Sequence, residues 1–271
     1  MLVVANHPNS FLDAILIGSV FSENVHFLAR GDAFRQKKHR FLLKMLKMIP
    51  IYRLSEGKEN LYLNELAFAE SKHILQSGGI VLIFIEGICI NSHTLQPFKK
   101  GAARIALHSN SAIPLKILPV SITYDSFYQF GKRVRIKSAP PILANTLFPF
   151  EEEAKNLSNF NDQIRPILAA TIQPPNSILN KKGVLLQSLA EIGKWIHYPL
   201  YWCMSKTIQS KTKGTVFYDS VLFGALLLIY PLYLIILHAL IYVTTGSYIL
   251  FISSSLIHLF STICASKWLN N

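Results

Sequence analysis

From residue 220 to residue 266 the chain carries no charged side chain, and His238 and His258 are the only histidines in that stretch. A run this apolar lacks the polar stripe of a surface helix. It is long enough for two bilayer crossings of about 20 residues each. Thr244-Thr245-Gly246-Ser247 supplies an uncharged turn between them. The expectation is a transmembrane helical hairpin, with helices near 220–243 and 247–265, in a segment spanning 216–271. Lys206, Lys211 and Lys213 precede it closely and Lys267 follows it. Cationic flanks on both ends put both on the cytoplasmic side by the positive-inside rule. The whole chain has a formal net charge of +12. A basic domain tethered beside a bilayer suits an anionic lipid surface. Nucleic acid is the other common partner of basic chains, but no nucleic-acid motif is present.

Ahead of that stretch, short apolar runs alternate with helical patterns. Strands are expected at Leu2–Ala5, Val25–Ala29, Ile49–Tyr52, Ile80–Ile85, Leu115–Thr123 and Val134–Ile136, with helices near 11–21, 34–48, 59–77 and 100–109. Such alternation predicts an α/β fold, a mixed sheet with helices on its faces. Residues 1–180 form the expected catalytic domain, and 181–215 a bridge to the hairpin. Trp195, His197, Tyr198, Tyr201 and Trp202 in the bridge lie among Lys194 and Lys206. That mixture suits a bilayer interface, and it equally suits packing on the catalytic domain. The basic amphipathic segment Arg35–Met48 has the same two readings: a helix in the headgroup region, or one packed on the sheet with its lysines in water. The three cysteines, Cys89, Cys203 and Cys264, are widely spaced. Neither a zinc knuckle nor a disulfide framework fits them, and a reducing compartment does. No metal-ligating histidine pair is visible. The N-terminus has no basic region ahead of its first apolar run, so no signal peptide is expected.

The chemistry concentrates at Asn6-His7-Pro8-Asn9-Ser10-Phe11-Leu12-Asp13. These residues lie between an apolar strand and an apolar helix. In α/β proteins that junction opens onto the crevice at the strand ends. An imidazole held by a carboxylate is a general base for a hydroxyl. Ser10 reads as a helix cap rather than a nucleophile.

Three further blocks follow in order: Ile49-Pro50-Ile51-Tyr52-Arg53; then Ile83-Phe84-Ile85-Glu86-Gly87 with Leu95-Gln96-Pro97-Phe98-Lys99-Lys100-Gly101-Ala102-Ala103-Arg104; and Leu118-Pro119-Val120-Ser121-Ile122. Over roughly residues 1–140 the set resembles the glycerol-phosphate and lysophosphatidic acid acyltransferases, the PlsC-like family. The resemblance implies that family's fold. It gives His7 the role of base and Asp13 the role of orienting the imidazole. It also implies attack of the acceptor hydroxyl on a fatty acyl thioester of coenzyme A or acyl carrier protein. No resident cofactor is implied, and membrane lipid is the expected partner. Arg53 would bind the acceptor's phosphate, its fork matching two phosphate oxygens. Glu86 and Gly87 would shape the acceptor site, beside Asn9 and Ser10.

Two departures bear on the acceptor site and the base. Five residues, not the usual four, separate His7 from Asp13, and the turn at Pro8-Asn9-Ser10 can absorb one. After Gly87 the family's arginine is missing, and Ile88-Cys89-Ile90-Asn91 stand there instead. Lys99, Lys100 or Arg104 could replace it, since a helix starting at Gly101 also attracts anions at its N-terminus. The expected acceptor is 1-acylglycerol 3-phosphate. Glycerol 3-phosphate and a phosphate-free lyso-aminolipid are alternatives, as is a non-catalytic membrane-binding protein on a degenerate acyltransferase fold.

Overall fold

The computed structural model describes residues 1–53, 62–109, 114–128, 132–173 and 184–258, the side chains of 184–194 and 196 excepted. The expected second hairpin helix beyond His258, Cys264 and Lys267 lie outside the described residues, as do 59–61 of the expected third helix and the start of the expected bridge.

Strands β1 (Leu2–Ala5), β2 (Val25–Arg30), β3 (Met48–Ile51), β4 (Ile80–Phe84), β5 (Lys116–Tyr124), β6 (Val134–Ser138) and β7 (Ile142–Leu143) form one sheet among the described residues. Its order is β3-β2-β4-β1-β5-β6, with β7 also pairing β5. The pairs β3–β2, β2–β4, β4–β1 and β1–β5 are parallel and β5–β7 is antiparallel. The sheet is therefore mixed. β1 reads Leu-Val-Val-Ala and every residue in it is buried. That continuous apolar run marks a central parallel strand covered on both faces. β3 carries Pro50 at the sheet's edge, where a strand tolerates a missing N–H.

The helices are α1 (Phe11–Gly18), α2 (Lys37–Met45), α3 (Leu63–Gln76), α4 (Gly101–Ser109) and α5 (Glu153–Thr171). The main core joins Leu2, Val4, Val81, Ile83 and Ile117 of the sheet to Leu75 of α3, to Ala102, Ala103, Ile105 and Ala106 of α4, and to Leu157, Phe160, Ile164 and Leu168 of α5. The small side chains of α4 let its backbone lie close to the strands. Asn6 closes the end of β1: its amide donates to the Ile122 carbonyl at 3.0 Å and its oxygen accepts the Ile122 N–H at 2.9 Å.

The chain divides into two compact units. The first is Met1–Thr123 with Arg135–Pro174, and the second is Tyr124–Val134 with Pro175–Asn271. In the second unit, α6 (Val184–Lys211) and α7 (Tyr218–Thr245) pair, with Ile208, Tyr218 and Leu222 buried between them. The Tyr230 and His197 side chains hydrogen-bond at 2.6 Å, and Ser205 and Tyr218 at 2.7 Å. Asp219, in the first turn of α7, forms a buried ion pair with Lys132. The expected bridge is thus largely one long helix running through Pro199, and it packs along α7.

Among the described residues α7 is the one helix long and apolar enough to cross a membrane. It ends at Gly246 with φ 65°, the left-handed conformation that glycine adopts cheaply at a helix C-terminus. A shorter apolar helix, α8 (Tyr248–His258), follows. It returns along α7, with Tyr242–Tyr248 and His238–His258 ring contacts at 4.8 and 4.9 Å.

Candidate active site

The parallel arrangement puts the C-terminal ends of β1, β4, β2 and β3 along one edge of the sheet, and four expected site residues leave from it. His7 follows β1, Glu86 and Gly87 follow β4, and Arg53 follows β3.

His7 and Asp13 meet. Nδ1 of the imidazole lies 2.9 Å from Asp13 Oδ2, with the His7 side chain 19% exposed and that of Asp13 fully buried. The same oxygen accepts the Asn9 N–H at 2.7 Å. A carboxylate only accepts hydrogen bonds, so the shared proton sits on Nδ1, and in the neutral imidazole Nε2 is the nitrogen with the free lone pair. The His7 ring also stacks on Phe84, with centroids 3.8 Å apart and planes 9° apart. Carboxylate and phenyl ring together fix the tautomer and the plane of the base. The five-residue spacing is absorbed as expected, by the turn before α1.

The loop after β4 holds that turn by its backbone. The Glu86 carboxylate accepts the His7 N–H at 3.1 Å through Oε2 and the Gln96 N–H at 2.9 Å through Oε1. The Ile90 N–H donates to the His7 carbonyl at 3.3 Å, and the Asn91 amide to the Pro8 carbonyl at 2.8 Å. The Ser10 N–H donates to Cys89 Sγ at 2.9 Å. Ser10 sits at the N-cap position of α1 with φ 54°, and its side chain makes no capping bond. The expected side-chain cap is therefore replaced by a strained backbone turn tied down through its N–H. Asn9 is fully buried, and its backbone serves Asp13.

Burial raises the Glu86 carboxyl above its ordinary range, and the N–H bonds from Gln96 and His7 oppose the rise. Burial, reinforced by the Asp13 carboxylate, pushes the Cys89 thiol up to about 12. A thiol so placed stays protonated and is a poor nucleophile. Gly87 has φ 63°, and a Cβ there would lie 2.9 Å from Lys99 Cγ. Glycine is thus required twice, by the backbone angle and by the lysine stem crossing over it.

Lys99 is anchored by its N–H to the Ile85 carbonyl at 2.8 Å, and its side chain passes Gly87. Lys100 and Arg104 are exposed at the start of α4. Arg53 is half-buried, past the end of β3. Three strand spacings separate β3 from β1, about 14 Å across the edge. His7, Asp13, Asn9, Ser10, Glu86 and Gly87 thus form one cluster bordered by Lys99, while Arg53 leaves the same edge three strands away and Lys100 and Arg104 lie at the start of α4. Phe84, from the third block, and Cys89 and Asn91, from the stretch after Gly87, join the cluster without a sequence signal of their own. Asn6, next to His7, is a structural anchor that the motif contains but does not explain.

An imidazole oriented by a carboxylate, on the carboxyl edge of a mostly parallel α/β sheet, has the geometry a general base for a hydroxyl requires. Residues 1–123, somewhat under half of the chain, match the family model described as Acyltransferase. A probable 1-acyl-sn-glycerol-3-phosphate acyltransferase of Mycoplasma genitalium is 27% identical over 196 residues, covering 68% of this chain and 64% of the relative. The chain thus spans somewhat less than two thirds of that relative's length. The crystal structure of PlsC from Thermotoga maritima, a 1-acyl-sn-glycerophosphate acyltransferase, aligns with a TM-score of 0.45 at 20% identity, over 65% of this chain and 68% of that one. By length and composition α7 suits a membrane crossing.

Proposed function

We propose that the chain is a membrane-bound O-acyltransferase of phospholipid biosynthesis. It moves a fatty acyl group from acyl-CoA or acyl-ACP to the hydroxyl of 1-acylglycerol 3-phosphate, with the catalytic domain on the cytoplasmic side. The observation that carries this reading is the His7–Asp13 pair, held at 2.9 Å with Nε2 left to accept a proton. Nε2 takes the proton of the acceptor hydroxyl as its oxygen attacks the thioester carbonyl carbon. The C–S bond breaks, the sulfur leaves as a thiolate, and the imidazolium returns the proton to it. An ester and a free thiol result, with no covalent enzyme intermediate. Asp13 stabilises the transient imidazolium. The activity named for the Mycoplasma relative supports the choice of acceptor.

Label transfer from acyl-CoA and from acyl-ACP to lysophosphatidic acid, by the purified chain in detergent, tests the reading. His7→Ala should lose at least about 100-fold, within the usual span for removing a general base. Undiminished transfer by that variant removes His7 from the mechanism.

A second acceptor is favoured by one observation. Cys89 Sγ and the Asn91 amide, in the stretch that lacks the family's arginine, are spent on the backbone of Ser10 and Pro8. Neither supplies a cation for phosphate, and a lyso-aminolipid needs none. Arg53→Ala separates the two. With a phosphate-bearing acceptor it should raise KM and leave kcat nearly unchanged, the mark of lost uniform binding. Equal rates with and without the acceptor's phosphate favour the aminolipid.

A further inference from the structure

Helix α2 connects β2 to the parallel strand β3. A crossover helix of this kind normally buries an apolar stripe on the sheet. α2 buries none of its residues. Phe41, Leu42, Met45 and Leu46 are exposed by 69, 55, 63 and 43%. Leu43 is half-buried, and Arg40 Nε, donating to the Phe34 carbonyl at 3.1 Å, marks the side turned to the protein. At about 100° per residue, the four exposed apolar side chains share one arc of the helix. Lys38 projects within that arc and Lys37 and Lys44 lie at its border.

From Arg35 to Lys47 the segment holds Arg35, Lys37, Lys38, Arg40, Lys44 and Lys47 and no acidic residue. This charge selects the occupant. A second copy docked through the same face would set lysines against lysines, and like charges brought together repel. A sheet of anionic headgroups over an acyl interior complements both parts of the arc. Long lysine stems can lie along the apolar surface while their ammonium groups stay among phosphates. The chain also carries α7, which is long and apolar enough to cross a bilayer.

We propose that α2 is an interfacial helix that docks on an anionic bilayer, with Phe41, Leu42, Met45 and Leu46 below the headgroups and the basic side chains among them. This rests on the membrane-bound reading above and adds a second contact, made by the catalytic unit itself. Because α2 leaves from the end of β2 that belongs to the edge carrying His7, such a contact would bring that edge close to lipid.

Amide hydrogen exchange on the full chain in nanodiscs tests it. The comparison is between discs of phosphatidylcholine alone and discs of equal parts phosphatidylcholine and phosphatidylglycerol, with detergent as reference. Exchange over residues 37–46 should slow at least about tenfold in the anionic discs relative to detergent, and less in the neutral ones, while α4 is unchanged. Phe41→Ser combined with Met45→Ser changes exposed side chains only, and should abolish the slowing. Equal exchange in both discs and detergent overturns the proposal. Protection that grows with protein concentration in detergent and ignores lipid charge overturns it in favour of self-association. A chain that does not co-purify with the discs overturns the membrane reading and this proposal together. A chain that co-purifies with α2 unprotected overturns this proposal alone. The readout requires no acyl transfer, so an inactive chain does not affect it.

Discussion

At the scale of single residues, Glu86 does the work of a backbone anchor. Each of its oxygens accepts a main-chain N–H, from His7 and from Gln96. Glutamine offers one acceptor oxygen and an NH2 group in place of the other. Glu86→Gln should therefore strand one N–H, cost about 1–3 kcal/mol as a lost buried bond, and loosen the His7 turn. The pH dependence has a definite sign. Burial raises the Glu86 carboxyl above its ordinary value of 4.5, so the folded chain holds that proton after the unfolded chain has released it. The stability this confers is fully present below 4.5 and disappears as pH rises through the raised value. Thermal midpoints in detergent should show the wild type losing stability relative to Glu86→Gln across that window, and a constant difference above it. Parallel curves throughout would mean that Glu86 titrates like a surface carboxylate.

At the scale of elements, α5 is tied to the sheet by one row of side chains. Leu157, Phe160, Ile164 and Leu168 recur at helical spacing and are almost wholly buried, and Phe160 stacks on Phe148 with centroids 5.9 Å apart. Phe160→Ala should cost about 3–5 kcal/mol, the usual range for emptying a packed aromatic site. A denaturant midpoint that hardly moves would show that the site collapses. Much at this scale was readable from hydrophobic period. Leu2–Ala5 matches β1 residue for residue, and the expected strand at Val25–Ala29 differs from β2 by one residue. Helix ends were less legible: the pattern over 34–48 resolves into a short helix and the start of β3, because Lys47 turns to φ 57° just before the strand. The meeting of His7 and Asp13 was legible from chain proximity. The hold of residues 86–91 on the His7 turn was not, since bonds from side chains to backbone across 79 or 83 positions leave no period to detect. The long α6 was masked by Pro199, a residue that usually ends a helix and here lies inside one.

At the scale of the whole molecule, charge and hydropathy are segregated along the chain. Lys206, Lys211 and Lys213 stand just ahead of α7, and the turn after α7, Thr245-Gly246-Ser247, has no charge. By the positive-inside rule, a protease added to inside-out vesicles should cut near Lys211–Lys213 and spare the turn, while right-side-out vesicles should protect those lysines. The reverse pattern would place the catalytic unit on the opposite side. The sheet order has an effect on how the protein is made. β1 is synthesised well ahead of both of its partners, β4 and β5, and the second is complete only at Tyr124. At synthesis rates of about 5–20 residues per second, an unpaired and wholly greasy strand waits on the order of ten seconds for its neighbours. During that wait it is exposed to chaperones and to other nascent chains.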